Sequence, residues 1–249
     1  MDLKKETLSI AWCDNGMVDG KFTQGLVHTI VQMQRAGVPI ANALRVQGNQ
    51  IARQRDTVIN EWFNGNLSDW LLWVDSDIVL TADIVAMLTT AADKVLKPIV
   101  SGIYFISKQP EGELSYPFPV VFNDIDKNTI QHIHPLPINE VIKVDCAGMG
   151  LVLMHRSVVE ALKKVYGKES LFAENTASDE REFVGEDVNF FRKVKKVGIQ
   201  LYAHTGAIAG HMKRYTFDYS HYSMWWHDHD RKEQAKLEAG QGIELGTVR

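Results

Sequence analysis

Trp70-Leu71-Leu72-Trp73-Val74 is an uninterrupted apolar run, and Asp75-Ser76-Asp77 follows it directly. An apolar run of this length, bounded by polar residues, suits a strand buried on both faces. Such a strand needs cover on both sides of its sheet. The two aspartates then stand at the strand's carboxyl end, which is where ligands sit in open α/β sheets. One short stretch therefore implies both a layered α/β architecture and the edge of that architecture where chemistry is expected.

The flanking sequence fits this frame. Leu8 to Trp12 reads as a first strand, ending in the polar loop Cys13-Asp14-Asn15-Gly16. Phe22 to Arg35 has apolar residues near helical spacing, and Gly37 and Pro39 stop it. Ala43 to Val46 is a second strand. Asn49 to Phe63 is a helix with the stripe Ile51, Val58, Ile59 and Trp62, closed by Asn64-Gly65. Thr81 can cap the next helix, with Asp83 in its first turn. Ile99 to Ile106, Phe118 to Phe122, Val141 to Val144 and Leu151 to Met154 read as strands. Ser157 to Tyr166 and Gly185 to Val197 read as helices, followed by strands at Ile199 to Ala203 and Ile208 to His211. The early alternation of strand and helix, with a strand-rich middle, predicts an α/β fold with a mixed sheet.

Nothing in the 249 residues reads as a linker, repeat or low-complexity block, so a single domain is expected. Its core spans 8–213, with an aromatic C-terminal segment and polar tail over 214–249. A formal charge of −4 argues against a broad basic groove for nucleic acid. The two cysteines, Cys13 and Cys146, are too few for a disulfide scaffold and suit reduced thiols. No apolar stretch reaches the ~18–20 residues of a membrane span, and the charged start is unlike a signal peptide. A cytoplasmic protein is the expectation.

Several residues are equipped for chemistry. Asp75 and Asp77, one residue apart, form a compact anionic pair that repels itself and favours a hard cation such as Mg²⁺ or Mn²⁺. A turn or helix-capping role is the plain alternative. Glu186 and Asp187 open a helix, where the dipole alone favours acids, yet either could serve as a general base. Their side chains should diverge by about 100°, so that only one enters a site. His211, after a short apolar stretch, could pack in a core or ligate a transition metal. Tyr215, Phe217, Tyr219, Tyr222, Trp225 and Trp226 could stack on a sugar or base, or simply pack. His227-Asp228-His229-Asp230 has the look of a metal cluster but suits the solvated start of a final polar helix. Residues beyond 239 read as a flexible tail.

In this order the motifs resemble those of the GT-A glycosyltransferases, in particular small family-2-like enzymes of bacteriophages and bacteria. The matching pieces are Trp73-Val74-Asp75-Ser76-Asp77 and Ser101-Gly102-Ile103-Tyr104-Phe105. Gly148-Met149-Gly150-Leu151-Val152-Leu153 follows with Arg156, then Gly185-Glu186-Asp187-Val188-Asn189-Phe190, and last Gly210-His211. The resemblance covers roughly residues 8 to 213 and implies a Rossmann-like GT-A sheet.

It also implies roles. Asp77 matches the direct metal ligand of the family's D-x-D, and Asp75 the partner that reaches the metal or the donor's ribose, with Ser76 between them at the donor. His211 matches the histidine that completes the metal shell. Asp187 matches the base of inverting members, with Glu186 orienting the acceptor or capping the helix. Asp14, Arg55 and Asp56 are expected on the nucleotide side, Arg55 alternatively as a structural partner of a carboxylate. His204 stands where relatives often carry aspartate. The implied reaction moves a sugar from a nucleotide-sugar donor, with uridine diphosphate as the expected carrier, to a hydroxyl acceptor. That acceptor could be a glycan, a small molecule or a hydroxymethylated pyrimidine in phage DNA. The aromatic segment and Lys213-Arg214 favour the last, and the net charge disfavours it. Two other readings stand beside this one. A nucleotidyltransferase would use a similar sheet and metal but usually a Gly-rich basic loop, which Cys13 to Gly20 lacks. A non-catalytic nucleotide- or carbohydrate-binding module would have no need of Asp75, Asp77, Asp187 and His211 together.

Overall fold

The structure is a computed structural model that describes residues 1, 5–38, 40–108, 116–126, 129–173, 185–213 and 219–238. In chain order the first elements are β1 (Leu8–Asp14), α1 (Gly20–Arg35), β2 (Ile40–Gln47), α2 (Ile51–Asn64), β3 (Trp70–Val74), β4 (Ile78–Val79) and α3 (Ala82–Ala91). A strand-rich middle follows: β5 (Ile99–Ile103), β6 (Phe105–Lys108), β7 (Tyr116–Pro119), β8 (Val121–Asp124), β9 (Ile130–His132), β10 (Val141–Val144), β11 (Cys146–Ala147) and β12 (Leu151–His155). Then come α4 (Arg156–Tyr166), α5 (Glu186–Lys196), β13 (Leu201–Ile208), β14 (Gly210–His211) and α6 (Tyr219–Glu238). By contacts the chain divides into Met1–Lys108 with Tyr116–Met212, and Gln109–Ser115 with Lys213–Arg249.

The first unit is built on a seven-stranded mixed sheet in the order β10-β13-β5-β12-β3-β1-β2. β1 runs parallel to β2 and β3, and β5 parallel to β13, while β12 is antiparallel to both β3 and β5. Every residue of β3 and β5 is buried, as a continuous apolar run between two covered faces requires. β2 sits at the sheet's end and alternates partly buried with exposed residues. Trp62, Trp70 and Trp73 are at most 1% exposed; truncating any one to alanine should cost about 3–5 kcal/mol. The first two have satisfied indole donors: Trp62 Nε1 donates to Ser68 Oγ at 2.8 Å and Trp70 Nε1 to Glu6 Oε2 at 3.0 Å.

Two expected strands are broken. Ile99 to Ile106 divides at Tyr104 into β5 in the main sheet and β6 in a ladder with β7. Phe118 to Phe122 divides at Val120 into β7 and β8. The two breaks meet, since the Val120 N–H donates to the Tyr104 carbonyl at 3.0 Å. The chain changes sheets there, and both break residues are themselves strand formers, so propensity gave no sign of it. Cys13 and Asp14, expected in a loop, extend β1, because β2 pairs with them through Val46 and Gln47. β13 likewise runs on to Ile208.

The second unit is described only through Lys213 and α6. α6 starts at Tyr219, so Tyr222, Trp225 and Trp226 belong to the final helix rather than preceding it. All three are at least half exposed. Tyr215, Phe217, Arg214 and the tail from 239 lie outside the described residues.

Candidate active site

Helix α2 places Arg55 on its buried stripe, one turn before Val58 and Ile59, and only 3% of its surface is exposed. A buried guanidinium must be paired. Arg55 Nη1 donates to Glu186 Oε1 at 2.8 Å and closely to Asp187 Oδ1. Nη2 faces both oxygens of Asp75, at 3.3 and 3.4 Å. Both residues at the start of α5 thus turn to the same group. The expectation that only one of Glu186 and Asp187 enters the site is therefore not met. Three carboxylates converge on one cation. Burial first, then Glu186 and Asp75, push the Asp187 carboxyl up to about 6, against the pull of Arg55. Arg55 itself is raised, because Asp187, Asp75 and Glu186 outweigh its burial.

The segment after β11 closes this site. The Met149 N–H donates to Asp187 Oδ2 at 3.0 Å, the Gly150 N–H to the Tyr104 hydroxyl at 3.1 Å, and the Asp75 N–H to the Gly150 carbonyl at 2.9 Å. A Cβ on Gly150 would stand 2.9 Å from the Tyr104 ring and 3.0 Å from Asp75 Oδ2. Only glycine lets the chain pass so close. Burial, with Asp75 and Asp187 nearby, raises the Tyr104 hydroxyl well above its ordinary range, so it stays protonated.

Asp77 and His211 form the other half. The two-residue strands β4 and β14 pair antiparallel, with His211 opposite Ile78, and the Met212 N–H donates to the Asp77 carbonyl at 2.8 Å. His211 Nδ1 lies 2.7 Å from the Phe105 carbonyl, so in the neutral ring Nδ1 carries the proton. Nε2 then turns its lone pair to Asp77 Oδ2, 3.1 Å away. Two acceptors face each other, an arrangement that either a proton on Nε2 or a cation between them relieves. Ligands at about 2.1 Å from a cation, at right angles, stand roughly 3.0 Å apart, so the spacing fits a divalent ion. Tyr104 packs edge-on against the His211 ring, with centroids 5.0 Å apart. Three protein ligands were expected. Among the described residues, however, no three His, Cys, Asp or Glu side chains converge as a metal site. Asp75 faces Arg55, while Asp77 faces His211.

The three residues expected on the nucleotide side, Asp14, Arg55 and Asp56, bond different partners. Asp14 is gripped by Arg45 through Nε to Oδ2 at 2.6 Å and Nη2 to Oδ1 at 2.7 Å, and takes the Gly16 N–H at 2.7 Å. Its carboxylate is sealed from solvent, and the Arg45 hydrogen bonds hold it below the usual range. Asp56 receives the Leu171 N–H at 2.9 Å and the Ser170 hydroxyl, fastening that loop to α2. Ser76 is partly buried in the turn between Asp75 and Asp77. Beside the Asp14–Arg45 pair lies a polar pocket of about 460 Å³, lined by Gln47, Gly48, Asn49, Arg53, Gln54 and Thr57. The sequence gives no sign of Arg45 or of this pocket, and the motif that contains Tyr104 assigns that residue no role of its own. The β1–β2 register, which brings Arg45 up to Asp14, has no local signature.

The remaining residues singled out in the sequence have the following partners and surroundings. His204 accepts the Gly206 N–H at 3.1 Å within β13, and burial lowers its pKa. Arg156 reaches Asn66 and Glu160 and lies over the Phe63 ring. Cys13 and Cys146 are buried free thiols, each pushed up to about 12 by burial. In α6, Asp228 pairs with Arg231 and Lys232, and His229 stacks on Trp225.

No protein-family model and no curated protein sequence matches the chain. Solved structures do. A197 from STIV is 19% identical with a TM-score of 0.50, over 84% of this chain and 86% of its own. GalNAc-T7, solved with UDP, GalNAc and Mn²⁺, is 11% identical with a TM-score of 0.53 over 86% of this chain; the match spans 44% of that larger protein. The fold is that of the GT-A glycosyltransferases, as the motif order implied. Among the described residues no helix is long and apolar enough to cross a membrane.

Proposed function

We propose that the protein is a metal-dependent glycosyltransferase that moves a sugar from a nucleoside-diphosphate donor to a hydroxyl acceptor, with inversion at the sugar carbon. The observation that carries this reading is the pairing of two unlike carboxylate sites around Tyr104. One holds a carboxyl poised near neutrality, and the other sets an imidazole and a carboxylate at the spacing of a bound cation. The fold supports it, and GalNAc-T7 is a neighbour solved with UDP and Mn²⁺.

Asp77 Oδ2 and His211 Nε2 would hold the ion, with the donor diphosphate filling further positions. A divalent cation there neutralises charge growing on the leaving diphosphate. The Phe105 carbonyl fixes the imidazole tautomer this requires. The polar pocket beside Asp14 and Arg45 is assigned to the nucleoside, with uridine as the expected base. Asp187 takes the proton of the acceptor hydroxyl as its oxygen bonds to the anomeric carbon, and the carbon–oxygen bond to the diphosphate breaks. Each Asp187 oxygen already accepts one hydrogen bond but keeps a second lone pair for this. Glu186, on the same guanidinium, is assigned to orienting the acceptor. The acceptor is a glycan, a small molecule or a hydroxymethylated pyrimidine in DNA.

The test is turnover of a panel of nucleotide sugars with Mn²⁺ or Mg²⁺ against these acceptors, with NMR of the product's anomeric carbon. Metal-dependent transfer with inversion supports the reading. Retention overturns the role of Asp187. Binding of nucleotide sugars with neither transfer nor hydrolysis, across the panel, overturns the enzyme.

A further inference from the structure

We infer that Arg55 is a positioning residue for the transfer reaction: it holds the Asp187 base in place and does not bind the donor. The inference rests on the reading of Asp187 as the base. Its ground is how the guanidinium is used. Arg55 is 3% exposed and approached by the carboxylates of Asp75, Glu186 and Asp187. Its Nε–H has no hydrogen-bond partner among the described residues, but that atom is itself buried, and the Nη groups are the ones turned to the carboxylates.

The grip is uneven. Charge-assisted N–H to carboxylate bonds settle near 2.7–2.9 Å. Nη1 meets that standard toward Glu186, at 2.8 Å, and also bonds Asp187. Nη2 stands back from Asp75, at 3.3 and 3.4 Å. The guanidinium is thus anchored on the acceptor half and only loosely engaged with the donor half. Asp75 can turn toward an arriving donor at little cost, while Asp187 stays held between Nη1 and the Met149 N–H. The planar fork is essential, because one rigid group must satisfy carboxylates on two different segments. A lysine ammonium supplies charge at a single point and cannot span them.

The experiment measures kcat and donor KM for Arg55→Lys, with Asp187→Asn in parallel and circular dichroism to verify folding. A base displaced by about 1 Å costs on the order of 100-fold in rate. The expected result is a kcat loss of that order in Arg55→Lys, with donor KM within about threefold of wild type. A donor KM raised tenfold or more at unchanged kcat would make Arg55 a donor ligand and overturn the inference. So would a normal kcat in Arg55→Lys while Asp187→Asn is inactive. Near-normal turnover by Asp187→Asn removes the base reading itself, and the inference with it. A donor-bound structure of the wild-type protein decides the matter even if the variants misfold. Arg55 still on Glu186 and Asp187, clear of the donor, supports the inference; a guanidinium bond to the diphosphate overturns it.

Discussion

The two halves of the site hold their carboxylates in different ways. Around Asp187 the protein supplies its own cation: Arg55 is buried, built into the core stripe of α2, and shared by the acids beside it. Around Asp77 the facing group is an imidazole whose proton is turned away to Phe105. The first half carries its own buried cation; in the second, the place between Asp77 and His211 is the one proposed for an incoming divalent ion. Under the proposed reading, that division gives a base held in place before the acceptor arrives and a leaving-group site completed together with the donor.

The contrast is broken most directly at Asp187. In Asp187→Asn the amide keeps the shape but loses the proton-accepting lone pair. Transfer should fall by about 10³-fold, within the usual range for general-base loss, with metal and donor binding retained. A fall in donor affinity of similar size would show the halves to be one site. The next effect is at the other half. His211→Ala should weaken Mn²⁺-dependent donor binding by more than the roughly 10–100-fold typical of losing an outer-sphere partner, with little change in metal-free binding. Calorimetry with and without Mn²⁺ reads this; an unchanged metal dependence would remove His211 from the centre. In the wild type, kcat/KM should rise with pH through an acid limb near 6, the value to which burial brings Asp187. Between the halves, Gly150→Ala should cost about 1–3 kcal/mol of stability, since the added methyl meets the Tyr104 ring and Asp75 Oδ2. Urea unfolding measures that cost, and a neutral result would mean that the segment can move aside.

How legible this was in the sequence followed the range of the interactions. β3 and β5 are recognisable because burial on both faces writes a continuous apolar run. The break at Tyr104 is silent because a residue that ends one strand and begins another can itself be a strand former. The two-residue ladder of β4 and β14, which brings His211 to Asp77, is too short to carry a period. His211 was nominated by motif order, not by pattern. Arg55 did have a signal: it falls at helical spacing on the stripe of Ile51, Val58, Ile59 and Trp62, and a charge on a core stripe asks for buried partners. The partners themselves, some 20 and 130 residues away, could not be read from that spacing. Asp14 was placed at the correct strand end, but its pairing with Arg45 depends on the β1–β2 register, which tertiary packing sets.

The smallest expected effect sharpens the contrast through stability rather than rate. The Asp187 carboxyl is raised from its ordinary 3.8 to about 6 in the folded protein. Between those values the folded chain keeps a proton that the unfolded chain has released. Linkage then makes this group's contribution fall as pH rises through the window: no penalty below about 4, a full penalty above about 6. Carboxylates held low, such as Asp14 and Asp145, act in the opposite sense, so the wild-type profile alone cannot isolate it. In Asp187→Asn the amide does not titrate. Its altered hydrogen bonds to Arg55 and Met149 add an offset that is constant with pH, whereas removing the carboxyl removes the slope. The melting temperature of Asp187→Asn minus that of wild type should therefore climb as pH rises from about 4 to about 7. A flat difference would mean that Arg55 already holds Asp187 ionised across the whole range. The base would then be neutralised as fully as the structure allows, and an acid limb near 6 in kcat/KM could no longer be assigned to Asp187.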